Sequence, residues 1–568
     1  MLRASPAFSG ANSPVLGLST PGQYQDIATP GYLLATKFTM GGTTESINSV
    51  SCYVDDFGST GITFTAAIYT DNSNSPGALV DSASNVSVFS NGWNTASLSG
   101  SDSLNASTPY WIVFNTYGTT QALQQLTFNI VSSNQSVWVY DSTNPWPASF
   151  PSSGLVHAPV EFACYAFYNG PPVMTIISNG VPVYASSAAG GDPASNANTA
   201  YVQGSSNTAY DINNLHSWIS NAVPSGGTPQ WIAYDLSGVA SGSRGKVDVI
   251  WYTLAGAFET GIGSGGTMTG VPSNYTLQGN TAAGGGSAPS SGWVTLATVS
   301  SNVLRVRESV VDLTGYNWVR LNITGTILSD AVQLIHFDVY DLSASGGAPQ
   351  DSFAFYGDSL TLGATQYADV YFGSPDNWTI PGQIASDLST HYPAETDGGI
   401  VGAGTQDGIN NIGAWLTAFP GKYVDISYGT NDSAGSESNA TFKTHYASLI
   451  SSVEGASKIA IVPEVPWTGG SYNPGASASD RTLGNIYGYN QQLVALEAAD
   501  STIITGPDFY DFFFDNQALL TNDPHPGSAG YGDMRTMWAC QLLIKVYGQP
   551  SATVKALSMC SPFASYIG

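Results

Sequence analysis

The sequence predicts a multidomain protein in which two all-β sandwiches precede a three-layer α/β/α domain built on a parallel sheet. Three observations carry this. A chain of 568 residues exceeds what one hydrophobic core organises. Before residue 350 the apolar residues come in short alternating runs separated by Gly, Asn, Ser and Pro, with no helical period. After Asp351, apolar strands alternate with amphipathic stretches, the pattern of a parallel sheet covered by helices on both faces. The expected domains are 1–170, 173–349 and 351–568.

In the first domain, Phe64–Tyr69 precedes a turn cluster at Asp71–Gly77, and Tyr110–Phe114 and Val137–Tyr140 are further strands. The segments from Ala66 to Leu79 and from Thr108 to Phe114 resemble jelly-roll modules appended to secreted bacterial proteins. That resemblance implies a carbohydrate-binding or adhesion role. Asn169-Gly-Pro-Pro172 reads as the linker that ends the domain. In the second domain Val319, Leu321 and Ile323 alternate with Trp318, Arg320 and Asn322, as in a half-buried strand. Trp231–Leu236, Val271–Gly279, Trp293–Val299 and Tyr316–Ile323, in that order, resemble the discoidin (coagulation-factor C-type) sandwich, a galactose-binding-like fold. Its members bind glycans through loops at one end. The binding residues vary among them, so substrate-binding residues stay unassigned here. Ser343–Pro349 reads as the second linker.

In the third domain the predicted strands are Phe353–Tyr356, Val424–Tyr428, Ile459–Val465 and Thr502–Ile504. Helical periods run through Leu483, Ile486, Tyr487, Leu493 and Leu496, and through Met534, Met537, Trp538, Leu542 and Ile544. Ser359 directly follows the first strand, in Gly357-Asp-Ser-Leu-Thr-Leu-Gly363. A nucleophile at a strand's C-terminal end stands at the open rim of a parallel sheet, where substrates bind. Further along come Gly399-Ile-Val-Gly402-Ala-Gly-Thr-Gln-Asp-Gly408, Tyr428-Gly-Thr-Asn431-Asp432 and Asp523-Pro-His525-Pro526, with Gly530-Tyr531 opening the last helical stretch. These blocks, in this order, resemble the SGNH (GDSL) hydrolase family across the terminal third of the chain.

The resemblance implies a serine esterase. A serine hydroxyl is a weak nucleophile until a base takes its proton. Of six His, His525 falls in the fourth block and is the expected base, and later the acid that protonates the leaving alcohol. His157 and His216 lie in the other domains and read as structural; His391 and His445 read as surface or packing residues. The negative oxygen formed by attack needs preorganised donors. The family implies the backbone N–H of Ser359, the backbone N–H of Gly402 and the side-chain amide of Asn431. Gly404 is the neighbouring alternative to Gly402, which is preferred because Ile400 and Val401 read as the end of a strand. Asp358 and Asp432 read as structural hydrogen-bonding groups. The sequence departs from the family at the third triad member, which usually stands three residues before the His. That position is Asn522, and Asp523 is two before. Asp523 is taken as the orienting group; the alternative is Asn522 or a carbonyl, leaving a Ser–His dyad. A neutral partner would raise the imidazole pKa less than a carboxylate would.

Composition bounds the setting. Lys and Arg number 14 against 40 Asp and Glu, a formal net charge of −26. That balance speaks against nucleic acid and against anionic membrane surfaces, both of which need clustered cations. Charged residues make up only 10% of the chain, against the usual quarter or about 25%, with Ser, Thr, Asn and Gly filling the surface. This points to a secreted or cell-surface protein. An acidic habitat is a further expectation, since few carboxylates build up little repulsion as they protonate. The start, MLRASPAFSG, has no apolar signal core and reads as a mature form. No stretch approaches the roughly 18 apolar residues of a membrane span. The four cysteines lack metal-ligand spacing. Cys52–Cys164 and Cys540–Cys560 are expected as disulfides of an oxidising compartment, and no cofactor or metal is expected.

Two sandwiches of glycan-binding resemblance on such a chain point to a carbohydrate esterase that removes acetyl groups from a polysaccharide. The rival readings are a broad carboxylesterase or lipase with adhesion modules, and a self-assembling surface or filament-forming protein that carries the hydrolase domain.

Overall fold

The computed structural model describes residues 15–17, 23–28, 32–40, 45–56, 63–83, 86–87, 92–98, 103–105, 107–117, 124–141, 146–168, 172–198, 217–253, 270–365, 379–388, 391–500, 502–521, 524–549 and 551–567. Most of the first linker, 169–171, lies outside them. The chain forms two compact units: Met1–Gly170 with Ala498–Ile504 and Leu543–Ala556, and the remainder.

The first unit carries two antiparallel sheets. One runs Val15–Gly17, Cys164–Tyr168, Glu45–Asp56, Gln124–Ile130 and Val160–Phe162; the other runs Val156–Ala158, Ser136–Tyr140, Tyr32–Thr39, Pro109–Tyr117, Thr63–Asp71 and Pro76–Ser82. The strand Pro109–Tyr117 explains the unbroken apolar run seen in the sequence. Tyr110, Ile112 and Phe114 pack with Val50, Ile47 and Ala166 of the facing sheet. Trp111 and Val113 point the other way, into a second cluster with Tyr69, Val137 and Phe150. A strand covered on both faces has no polar side to show.

Cys52 and Cys164 correct an expectation. They are Cα partners across the antiparallel strands Glu45–Asp56 and Cys164–Tyr168, yet both are buried free thiols. Burial, and then the facing Cys52, hold the Cys164 thiol well above its ordinary range.

The second unit contains another sandwich. A sheet of Val183–Ala185, Gln230–Asp235, Trp318–Thr326, Pro272–Asn280 and Val294–Val299 faces one of Thr175–Ile176, His336–Asp341, Lys246–Tyr252 and Val306–Asp312. Val319, Leu321 and Ile323 point inward, as their alternation predicts, against Val247, Val249, Trp251, Phe337 and Val339. The alternate residues Asp248, Ile250 and Tyr252 are buried too. Their face of the sheet meets the strands Ser352–Gly357 and Ala394–Gly399, where Glu308 accepts hydrogen bonds from Ser352 and Thr396.

The same unit holds a five-stranded sheet. Its strands are β1 (Ser352–Gly357), β2 (Ala394–Gly399), β3 (Tyr423–Ser427), β4 (Ile459–Val462) and β5 (Ile504–Thr505), in the order β2-β1-β3-β4-β5. β1 to β4 pair in parallel. The helices are α1 (Ser359–Thr365), α2 (Ile380–Asp387), α3 (Thr405–Ala418), α4 (Thr430–Ala434), α5 (Asn439–Gly455), α6 (Asn485–Ala499), α7 (Phe509–Asp515) and α8 (Ser528–Lys545). Local signals start several of them: the side chains of Thr379, Ser438 and Asp508 accept backbone N–H groups at the first turns of α2, α5 and α7. Two differences from the expected elements have plain causes. β4 stops at Val462 because Pro463 cannot donate to the ladder. α6 begins at Asn485, so Leu483 lies before it and is 45% exposed. Cys540 of α8 is bonded to Cys560, with Cα atoms 5.8 Å apart. Among the described residues no helix is long and apolar enough to cross a membrane.

Buried carboxyl groups set the pH dependence of this unit. Burial raises Asp338 to about 7 and pushes Asp248, Glu395 and Asp425 well above the carboxylate range; Glu308, beside Asp248, is raised as well. Such a group keeps its proton in the folded chain after the unfolded chain has released it. Stability is then fully present at low pH and falls as pH rises from about 4 through 7. His336 acts oppositely: burial lowers it from 6.5 to about 4, so its contribution falls as pH drops through that range. This one imidazole stands against those carboxyls and against Asp358, Asp387, Asp432 and Glu437, which burial raises too. The thermal midpoint is expected to be higher at pH 5 than at pH 7.5. Differential scanning calorimetry across that range checks this, and a midpoint that rises with pH would contradict it.

Candidate active site

The site stands at the C-terminal ends of β1, β2 and β3. Ser359 begins α1, two residues after β1 ends, and is half-buried. His525 lies just before α8, and its Nε2 is 2.8 Å from Ser359 Oγ. That is hydrogen-bond distance for proton transfer between a hydroxyl and an imidazole. α1 is held close to α8: a Cβ on Gly363 would overlap the ring of Tyr531, and Arg535 Nη1 donates to Gly363 O at 3.1 Å.

The loop after β2 carries Gly402 at φ +78°, the left-handed region that glycine takes without strain. The Gly404 N–H donates to Asp407 Oδ2 at 3.0 Å. Asn431 sits in α4, after β3. Its Nδ2 donates to Ala403 O at 2.9 Å and lies 3.5 Å from Asp358 Oδ2, so it touches the chain neighbours of both Gly402 and Ser359. An amide carries two N–H groups, and one is spent on Ala403.

Asp358 is fully buried and accepts the Leu360 N–H at 2.8 Å. Burial raises its carboxyl to about 7, against the backbone donors that lower it. Asp432 accepts both the N–H and the hydroxyl of Thr405, at 2.9 and 2.6 Å. Thr405 Oγ1 also lies 2.9 Å from His445 Nδ1, which is 3.3 Å from Glu437 Oε1. The sequence gives His445 only a surface or packing role; the structure makes it part of this chain of contacts beside Asn431. Nothing local could reveal it, because Thr405, Asp432 and His445 come from three separate helices. His391 pairs with Asp351 at 3.1 Å, and His157 is exposed. Asn522, Asp523 and His216 lie outside the described residues.

A Ser–His pair on the rim of a parallel sheet, next to a glycine loop and an Asn amide, is the arrangement of a serine hydrolase acting on esters. Residues 355–532 match the model of the GDSL-like lipase/acylhydrolase family, and the terminal domain is a GDSL-like domain. Among solved structures, the lipase/acylhydrolase from Enterococcus faecalis is 18% identical, with 34% of this chain and 95% of that chain covered and a TM-score of 0.26. For a psychrotrophic esterase from Pseudoalteromonas sp. the figures are 13%, 33%, 94% and 0.25. For chitosan-binding module 1 of a chitosanase/glucanase from Paenibacillus sp. IK-5 they are 22%, 29%, 98% and 0.20. No curated protein sequence matches the chain.

The close approach at Gly363 gives a direct test of how α1 is held. Gly363→Ala forces a methyl against Tyr531 and is expected to cost about 1–3 kcal/mol of stability, as overpacking does. Urea unfolding measures it; a variant as stable as the wild type would show that the helices separate without cost.

Proposed function

We propose that the protein is a secreted carbohydrate esterase that removes acetyl groups from a polysaccharide through an acyl-serine intermediate. The observation that carries the chemistry is the 2.8 Å contact between His525 Nε2 and Ser359 Oγ at the sheet rim. In this reading His525 takes the Ser359 proton as Oγ attacks the ester carbonyl. The oxyanion is met by the N–H groups of Ser359 and Gly402 and by the Asn431 amide. Collapse breaks the bond to the sugar oxygen, which leaves with the proton held by His525. Water, activated by the same imidazole, then attacks the acyl-enzyme and releases acetate. Asp523, or Asn522 in its place, orients the imidazole.

The polysaccharide part rests on the proposed division of the chain, with sandwiches over 1–170 and 173–349 and the hydrolase over 351–568. The glycan-binding resemblance of the sandwiches supports it. Modules that hold a polymer raise the local concentration of ester at the site. The Cys540–Cys560 disulfide and the low charge support an extracellular setting.

Ser359→Ala and His525→Ala are each expected to lower kcat on p-nitrophenyl acetate by at least about a thousandfold, and Asn431→Ala by about a hundredfold or more. Acetate released from O-acetylated xylan and from O-acetylated glucomannan, followed by chromatography, tests the substrate class. Preference for long acyl chains, with no acetate from either polymer, would favour a lipase. Undiminished hydrolysis by Ser359→Ala would remove the mechanism.

A further inference from the structure

Asp397, in β2, has an interaction that the hydrolase domain does not supply by itself. Its carboxylate is fully buried and forms an ion pair with Arg305, also fully buried, through Oδ2 and the Arg305 Nη2. Tyr252 OH reaches the same oxygen at 3.4 Å, and the Arg305 guanidinium lies over the Tyr252 ring. Arg305 and Tyr252 both belong to the second sandwich. The Arg305 backbone is fixed in turn by the Thr253 N–H, which donates to its carbonyl at 3.0 Å.

The other carboxylate oxygen points along the chain towards the site. Asp397 Oδ1 accepts the Gly399 N–H at 3.0 Å. Gly399 ends β2 where α1 crosses it, so closely that a Cβ there would overlap the backbone of Leu362. From Gly399 the chain is tied to the strand of Ser359 by Ile400 N–H donating to Gly357 O at 3.0 Å. It then runs through Gly402 to Ala403, whose carbonyl takes the Asn431 amide. One short segment therefore sets the places of two proposed oxyanion donors, and its base is held by a carboxylate whose counter-charge comes from another domain.

We propose that Arg305 is a positioning residue for ester hydrolysis, acting through Asp397 and the Gly399 N–H on the segment that carries Gly402 and anchors Asn431. This rests on the assignment of those two residues as oxyanion donors. The second sandwich is then a structural part of the catalytic site. A sandwich that only tethers polysaccharide would leave hydrolysis of a small soluble ester untouched. Removing one member of a buried pair strands the other's charge, whereas removing both charges together is often tolerated.

The test uses the full chain and p-nitrophenyl acetate, with kcat expressed per site titrated by a fluorophosphonate, so that misfolded protein is not counted. Arg305→Met is expected to lower kcat at least tenfold while KM changes less than threefold. Combining it with Asp397→Asn removes the stranded charge but keeps an oxygen for the Gly399 N–H, and is expected to restore kcat to within threefold of wild type. Combining it with Asp397→Ala removes that oxygen and is expected to leave kcat low. If Arg305→Met alone does not fold, the two double variants decide. Equal kcat for the two double variants, or an unchanged kcat per site in Arg305→Met, would overturn the proposal. A wild type with no esterase activity would instead sink the esterase reading on which it rests.

Discussion

The contact between Ser359 and His525 joins residues 166 positions apart, and that separation governs the design of the terminal domain. Neither side chain can find the other by local geometry. β1 presents Ser359 at its end, the strands beside it bring up the loops bearing Gly402 and Asn431, and α8 returns across the sheet with His525 at its head. Glycine close approaches and the Arg535 bond to Gly363 fix α1 against α8. A shift of about 1 Å between those two helices would open the proton-transfer path, and misplacement of that order can cost about a hundredfold in rate. The tight packing around α1 is therefore better understood as support for one hydrogen bond than as general core filling.

What could be read from the sequence follows the same division between local and distant causes. Ser359, Gly402, Asn431 and His525 each sit in a short run whose neighbours are themselves informative, so a resemblance of a few residues locates them. Alternation placed Val319, Leu321 and Ile323 on one face, because period two is a property of the strand alone. The ion pair of Arg305 with Asp397 had no such signature. Its members are 92 residues apart, and only the packing of a sandwich face on β2 brings them together. The one available hint was scarcity: among 14 cations, an Arg between Leu304 and Val306 is an unusual place to spend a charge. The cysteines show the reverse failure. Spacing suggested that Cys52 and Cys164 could bridge, and the sheet does set them opposite, but both are buried free thiols.

The buried carboxyls connect composition to stability. A chain with few charges still spends Asp248, Glu308, Asp338, Glu395 and Asp425 inside the second unit. Left ionised, each would carry a heavy desolvation cost; protonated, each is a polar group that hydrogen bonds can satisfy. Folding that favours the protonated forms lowers the stability of this unit as pH rises.

Catalysis pulls the other way. A general base must be unprotonated, and an ordinary imidazole has a pKa of about 6.5, so the acid that stabilises the fold drains the reactive form of His525. The group orienting its ring therefore decides how far into acid the base stays available. A carboxylate at Asp523 would hold the imidazolium and shift the loss of activity to higher pH, while a neutral partner at Asn522 would keep the base available further into acid. The pH at which kcat falls, compared between Asp523→Ala and Asn522→Ala, reads out which of the two does the orienting. If Asp523 pairs with His525, its removal moves the acid limb of the profile to lower pH and lowers the plateau, and Asn522→Ala leaves the limb in place. Identical profiles for the two variants would mean that neither side chain governs the imidazole, and that the ring is held by the backbone.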